Sequence, residues 1–238
     1  MITSLENKKV KDWCRLHLKK YRKGEYLIYE PGIIEAARKT GHLKTLIWCG
    51  EEPFAWDESY EVSREVLDKI SEGRDIGYAG VARTIEEVRD PRKRVLILDH
   101  LQDPLNIGRI METAVLFGFD SLLLSEGCAD IYNERCLEES RGAIYLLKIY
   151  HGDLLQEIPE LQKEGFRVYA TGLRGETKEL YDAEKAEKVA VILGNEGSGV
   201  RSEVMDVSDE IIKIDMDNID SLNVAMAAAI CAHYFKLL

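Results

Sequence analysis

One stretch limits the folds open to this chain more than any other: Val-Ala-Val-Ile-Leu at 189–193, followed at once by Gly-Asn-Glu-Gly-Ser-Gly at 194–199. An apolar run without polar alternation suits a strand covered on both faces, as in a parallel sheet packed between helices. In such sheets ligands sit beyond the carboxyl ends of the strands. Glycine there lets backbone approach a neighbour that a side chain would hold off. The run therefore predicts a buried strand ending in a ligand loop, with one acid, Glu196, in its middle. A tight turn into the next helix would use the same glycines. Two further stretches favour the ligand loop: residues 99–114 upstream and 214–224 downstream.

The composition allows such a core. At 238 residues and 45% hydrophobic content, the chain suits one large domain or two modest ones. The longest apolar run near the end, 224–231, falls far short of a membrane span, and the first residues lack the apolar centre of a signal peptide. The cytoplasm is the expected compartment, with no membrane partner. The cysteines (Cys14, Cys49, Cys128, Cys136, Cys231) form no CxxC pair and read as reduced, small apolar residues. The histidines show no metal-ligand spacing, so no metal is expected.

A net charge of −11 argues against a protein that coats nucleic acid without specificity, because that task sets many Lys and Arg against phosphates. The charge is unevenly spread, however. Residues 1–44 hold eleven Lys/Arg against five Asp/Glu, which leaves the rest of the chain strongly acidic. Lys8, Lys9, Lys11, Arg15, Lys19, Lys20, Arg22 and Lys23 form a candidate phosphate-contacting surface; a solvated helix face explains them equally well.

In chain order, Val10, Trp13, Cys14, Leu16 and Leu18 predict a partly amphipathic helix over 6–23. Strands are expected at 25–29, 45–48 and 77–83, and helices at 33–40 and 62–70. This is a small α/β module. The charged, proline-containing stretch between Arg83 and Arg94 marks a boundary, placing domains at 1–88 and 89–238. From Val95 the pattern restarts as strand 95–98, helix 105–117 and strand 121–124, a parallel crossover. A helix at 133–139, an apolar stretch at 144–149, a helix at 154–164 and a strand at 166–170 follow. After the 189–193 strand come a short helix from Ser202, a strand at 211–214 and a last helix at 221–235.

Glycine-rich loops invite a nucleotide reading, which fails here on specifics. A P-loop needs GxxxxGK and Ser or Thr, and no lysine follows these glycines. A dinucleotide fingerprint needs a third glycine, where this chain has Ser202, and an early position in the fold.

Taken together, the three stretches resemble the SpoU/TrmH family of RNA ribose 2′-O-methyltransferases, within the SPOUT superfamily. Leu-Asp-His-Leu-Gln-Asp-Pro-Leu-Asn-Ile-Gly at 98–108 with Thr113-Ala114 resembles the first motif, Leu-Gly-Asn-Glu-Gly-Ser-Gly at 193–199 the second, and Ile214 with Ser-Leu-Asn-Val at 221–224 the third. Ser-Arg-Gly-Ala at 140–143 and Ala-Thr-Gly-Leu at 170–173 also sit where the family has similar sequences. The likeness covers residues 95–238.

The resemblance implies an α/β fold whose C-terminal part is a trefoil-knotted parallel-sheet domain, one of the rare exceptions to unknotted topology. A small α/β, ribosomal-protein-like RNA-binding domain would precede it. It also implies a homodimer packed through the knot, S-adenosylmethionine (AdoMet) as cofactor, and structured rRNA or tRNA as substrate. By family position, Thr171, Gly172, Leu173, Leu193, Gly194, Ile214, Met216 and Leu222 would line the cofactor. A purely structural core role fits Leu193, Ile214 and Leu222 as well. Asn106, Glu196, Ser221 and Asn223 match the family's polar cluster around the ribose hydroxyl, with Ser221 and Asn223 also placed to cap the last helix. Methylating a hydroxyl needs positioning and a local base or charge stabiliser, which such a cluster supplies.

Two departures stand out. The family normally has arginine four residues after the motif-one glycine, to contact substrate phosphate and help activate the hydroxyl, and here the position is Glu112. A carboxylate reverses the charge. Arg109 lies three residues earlier, on nearly the same helix face, so it could bring a guanidinium to the same space, with Glu112 as its partner or as a replacement base. Arg141 is the other candidate. In motif three Asp215 stands where proline is usual, and 217–220 is about one residue short and acidic. The alternative to an ordinary 2′-O-methyltransferase is therefore a catalytically altered member that binds AdoMet or RNA without that transfer.

Overall fold

In a computed structural model that describes residues 1–217 and 222–236, the chain forms two compact units, Met1–Ile85 and Glu86–Leu238. The first is built on four strands: β1 (Glu25–Ile28), β2 (Leu43–Trp48), β3 (Ser59–Glu61) and β4 (Tyr78–Arg83). They lie in the order β1-β4-β2-β3, with β4 antiparallel to both neighbours and β3 parallel to β2. Helices α1 (Lys8–Arg15), α2 (Pro31–Lys39) and α3 (Arg64–Ile70) complete the unit. Val10 and Trp13 of α1 join Ile47, Val66, Leu67 and Ile70 in one buried cluster. β3 is not legible in the sequence, since its three residues are all only half buried and show no alternation.

The helix expected over 6–23 stops at Arg15. The Arg22 guanidinium folds back to donate to the carbonyls of Leu16 (2.8 Å) and His17 (3.1 Å), meeting acceptors that a helix end leaves open. Beyond it, residues Lys19–Tyr21 form one 3₁₀ turn.

Among the described residues the second unit carries seven strands: β5 (Arg94–Asp99), β6 (Ser121–Leu124), β7 (Lys148–His151), β8 (Arg167–Thr171), β9 (Thr177–Glu179), β10 (Val189–Gly194) and β11 (Glu210–Lys213). All their pairings are parallel, in the order β7-β6-β5-β10-β8-β11-β9. Every residue of β5 and β10 is buried, which is why both read as unbroken apolar runs. The edge strand β9 is polar Thr-Lys-Glu and left no hydrophobic signal. Helices α4 (Pro104–Leu116), α5 (Glu134–Ser140), α6 (Leu154–Lys163), α7 (Ser202–Asp206) and α8 (Val224–Phe235) surround the sheet.

Strand order and register position the site. From β5 the chain builds outward through β6 and β7, then returns to the far side, leaving β10 between β5 and β8. This is a topological switch point, where open parallel sheets have their ligand crevice. Gly194 pairs with Asp99 across β10 and β5, Ile192 with Ala170, and Thr171 with Ile212, so four strands end at nearly one level.

The last helix is fastened beneath that level. Phe235 stacks on Tyr169 with ring centroids 4.9 Å apart, and its carbonyl accepts from Arg94 Nε at 2.6 Å. Arg94 also donates to the carbonyls of Lys93 (2.9 Å), Glu187 and Ala186. It is buried, and burial lowers its pKa from the ordinary guanidinium value.

Candidate functional site

The site begins with the loop after β10. Gly194 can be nothing larger, since a Cβ there would stand 2.1 Å from the Gly199 carbonyl carbon and the Val200 nitrogen. That closeness folds the loop on itself, with Asn195 and Gly199 exchanging backbone hydrogen bonds at 3.1 and 2.9 Å. Asn195 Oδ1 accepts from the Gly197 amide at 2.9 Å, and its Nδ2 donates to the His100 carbonyl at 2.8 Å. His100 has φ +55, a left-handed backbone that residues with side chains seldom adopt. On the other flank, the fully buried Asp99 carboxylate accepts from the Arg201 amide (2.9 Å) and Nε (2.8 Å). The loop is thus tied to the end of β5 at both of its ends, and Glu196 sits between the ties.

A row of polar side chains then joins three distant parts of the sequence. Asp103 caps α4 by accepting from the Leu105 amide at 3.0 Å, with Pro104 as first helical residue, and this sets Asn106 in the opening turn. Asn106 is 3% exposed, and both ends of its amide are used. Its Nδ2 donates to Glu196 Oε1 at 3.0 Å, and its Oδ1 accepts from Asn223 Nδ2 at 3.2 Å. Asn223 in turn caps α8 through Oδ1, which accepts from the amides of Ala225 (2.9 Å) and Met226 (3.4 Å). Three of the four residues expected to form the polar cluster are therefore linked in the order Glu196, Asn106, Asn223. Ser221 lies outside the described residues, and the helix expected from 221 starts at Val224 with Asn223 as its cap.

Beside this row opens a cleft of about 380 Å³. Thr171, Gly172, Leu173 and Gly194 line it, together with Ile214, Met216 and Leu222 from the C-terminal segment. Leu193, expected at the cofactor, is fully buried within β10, so its side chain packs inside the sheet while the strand's last residue, Gly194, lines the cleft. Thr171 Oγ1 donates to the Ile192 carbonyl at 2.9 Å, fastening the mouth of β8 to β10. At Gly172 a Cβ would meet Met205 Cε at 2.6 Å. Leu173 is 60% exposed, an uncovered apolar side chain at the opening.

Sequence reasoning missed several residues. Arg174 and Lys213 put cations into the lining, and Val224 and Ala227 of α8 supply further apolar wall. Arg174 Nη1 donates to Ser202 Oγ. The hydrogen bond from Lys213 to Glu179 (2.7 Å) raises the ammonium pKa. Their neighbours at 171–173 and at 214 were the available signal. The Asp99–Arg201 tie spans a hundred residues of sequence and had none.

The expected pairing of Arg109 with Glu112 does not form. Arg109 pairs with Glu139 (2.9 Å), not with Glu112. Glu112 pairs with Arg141 at 3.4 Å. The reason is how closely α5 lies on α4: at Gly108 a Cβ would stand 2.4 Å from the Cys136 carbonyl oxygen, which brings the end of α5 over this face. Arg141 then turns the chain with φ +48.

A parallel sheet with its crevice at the switch point, and a glycine loop joined to motif residues of α4 and α8, define the class. Residues 93–233 match the model of the SpoU rRNA Methylase family, and the chain belongs to that family of RNA methyltransferases. Among its relatives, a Bacillus subtilis protein, 23S rRNA (guanosine(2553)-2′-O)-methyltransferase RlmP, is 31% identical over 99% of this chain and 98% of its own. An rRNA methyltransferase from Sinorhizobium meliloti superposes with a TM-score of 0.88 at 23% identity, covering 98% of this chain and 95% of that one. A structure of an AdoMet-bound rRNA methyltransferase from Sinorhizobium meliloti gives 0.86 at 22% identity, with the same coverage.

Proposed function

We propose that the chain transfers a methyl group from AdoMet to a ribose 2′-hydroxyl of a structured rRNA or tRNA. The observation that carries this is the Glu196–Asn106–Asn223 row, because it joins polar residues of three separate motifs and one of them, Glu196, also lines the cleft. The cleft fits the cofactor in character. Leu173, Ile214 and Leu222 offer an apolar slot for an adenine, the looped backbone at 194–199 offers polar groups, and the volume is in the range of small-molecule sites. When bound, AdoMet supplies an electrophilic methyl on a sulfonium.

The chain's own part is to place the hydroxyl. Asn106 fixes the Glu196 carboxylate with one end of its amide and the Asn223 amide with the other, so the hydroxyl meets a carboxylate that can accept its hydrogen bond and amide donors that can hold its oxygen. Fixed groups of this kind lower a barrier by removing the need to orient them during reaction. The domains at 1–88 and 89–238 divide the labour, the first selecting RNA and the second holding cofactor and hydroxyl. The exposed side chains of Leu116, Leu146 and Met226, apolar and 60–70% accessible, support a homodimer of the second domain, with the tail threaded as a knot. The pairing of Glu112 with Arg141 supports Arg141 as the guanidinium that meets substrate phosphate, anchored by Glu112.

The test combines calorimetry with AdoMet and transfer of tritium from labelled AdoMet to total RNA, followed by nucleoside analysis. Binding in the cleft and label in a 2′-O-methylnucleoside are expected. Absence of AdoMet binding at millimolar concentration would end the cofactor reading. Arg141→Ala is expected to reduce transfer while leaving AdoMet binding intact. An enzyme silent as wild type but active as Glu112→Arg would instead establish the altered-member alternative.

A further inference from the structure

The first unit carries a surface that methyl transfer itself does not use. Residues 8–23 contain eight Lys/Arg and one acid, Asp12, within a chain of net charge −11. Several of these cations are already committed. Lys9 Nζ donates to Tyr60 Oη at 2.9 Å, Lys11 pairs with Glu6, Arg15 pairs with Asp12 at 3.4 Å, and Arg22 holds the carbonyls of Leu16 and His17. Lys19, Lys20 and Lys23 differ: they are exposed and have no carboxylate partner among the described residues.

Among them stands Tyr21, 42% exposed, with Lys20 Nζ 5.0 Å and Arg15 Cζ 5.8 Å from its ring centroid. The ring borders a cleft of about 480 Å³ whose lining also includes Trp13, Leu16, Lys23, Glu25 and Glu58. Lys44, on the same wall, is neutralised by Glu25 at 2.5 Å. The cleft interior is therefore nearly neutral and part apolar, and the uncompensated positive charge lies at its edge. The irregular backbone that displays Tyr21 is held by Arg22, so the ring is presented in place before anything binds.

We propose that residues 16–23 and this cleft receive an unpaired RNA base, with Tyr21 stacking on it and Lys19, Lys20 and Lys23 meeting the flanking phosphates. Aromatic faces set among cations take single-stranded bases in this way, and sequence-selective RNA recognition works chiefly on splayed loop bases rather than on duplex. Carboxylates inside the cleft suit the amino groups of a base edge and would repel a phosphate, which assigns phosphates to the rim. The inference rests on the reading that the substrate is RNA.

The experiment is fluorescence anisotropy of the full chain with two labelled RNAs, a hairpin with an eight-nucleotide loop and a fully paired duplex of the same stem. Tyr21→Ala is expected to weaken hairpin binding at least about five-fold, given the usual worth of one stacked base, and Tyr21→Phe to preserve it. Duplex binding should not change with Tyr21→Ala. The triple variant Lys19→Ala, Lys20→Ala, Lys23→Ala should lower the slope of log affinity against log salt by about 2, at roughly 0.7 per phosphate. Circular dichroism and AdoMet calorimetry on each variant show that the fold and the second unit are intact. Wild-type binding with all variants unchanged overturns the surface and leaves the RNA reading standing; a wild type that binds neither RNA overturns both. Loss of binding to phosphatidylserine vesicles in the triple variant, with hairpin binding unchanged, would overturn it in favour of a membrane surface.

Discussion

At the level of single residues, Asn106 holds the most connected position in the candidate site. It is a buried amide whose donor and acceptor each serve a different motif, so its removal unties two solvent-exposed polar groups, Glu196 and Asn223, that it holds together. Asn106→Ala should reduce methyl transfer on the order of a hundred-fold, the scale of losing a positioned polar group in a reaction centre, while AdoMet binding changes little. Single-turnover transfer and calorimetry on one preparation check the split. Loss of AdoMet binding alongside activity would show that the residue only supports the fold. The sequence pointed to Asn106, Glu196 and Asn223 through motif position. It was silent on the bonds that join them, because residues 106, 196 and 223 meet only once the sheet is assembled. For Leu193, motif position pointed to the cofactor, and the sequence did not show that the strand would bury its side chain entirely.

Among the elements, the loop after β10 is the least tolerant of change. Gly194 lets residues 199 and 200 lie almost on its α-carbon, and a methyl group would force the loop open. Gly194→Ala is therefore expected to cost stability in the range of about 1–3 kcal/mol associated with overpacking, and to abolish AdoMet binding as well. A thermal melt and a calorimetric titration measure the two effects; unchanged cofactor binding would contradict the loop's proposed role. Strands β5 and β10 were legible because an unbroken apolar run has one economical fate. By contrast, β3 and β9 were not, since short half-exposed edge strands have no periodicity to read. The early end of α1 escaped notice for a related reason. The helix-forming composition continues past Arg15, and only the fold-back of Arg22 decides where the backbone turns.

At the scale of the whole molecule, folding leaves a record in the thiols. Burial pushes the Cys231 thiol up to about 12, and burial, reinforced by the charge of Asp130, raises that of Cys136. A pKa raised on folding means the native state keeps a proton that the unfolded chain releases. The associated stability is full below the unfolded thiol value of about 8.5 and declines as pH climbs from there toward the folded values. Urea midpoints should accordingly fall between about pH 8.5 and 10, and fall less steeply in the Cys136→Ala, Cys231→Ala double variant. A midpoint flat across that interval would contradict the assignment.

The amino-acid order alone determined the parallel α/β character, the glycine loop, the family resemblance and most of the polar residues at the centre, since each depends on local pattern or on motif spacing. Tertiary structure decided what local pattern cannot encode. It placed Asp99 on Arg201 across a hundred residues, gave Glu112 to Arg141 and Arg109 to Glu139, and tied α8 to the start of β5 through Arg94. Charged and polar side chains find partners through space, under the cost of leaving a buried donor or acceptor unmet, and that cost is set by which elements pack together rather than by which residues are neighbours in the chain.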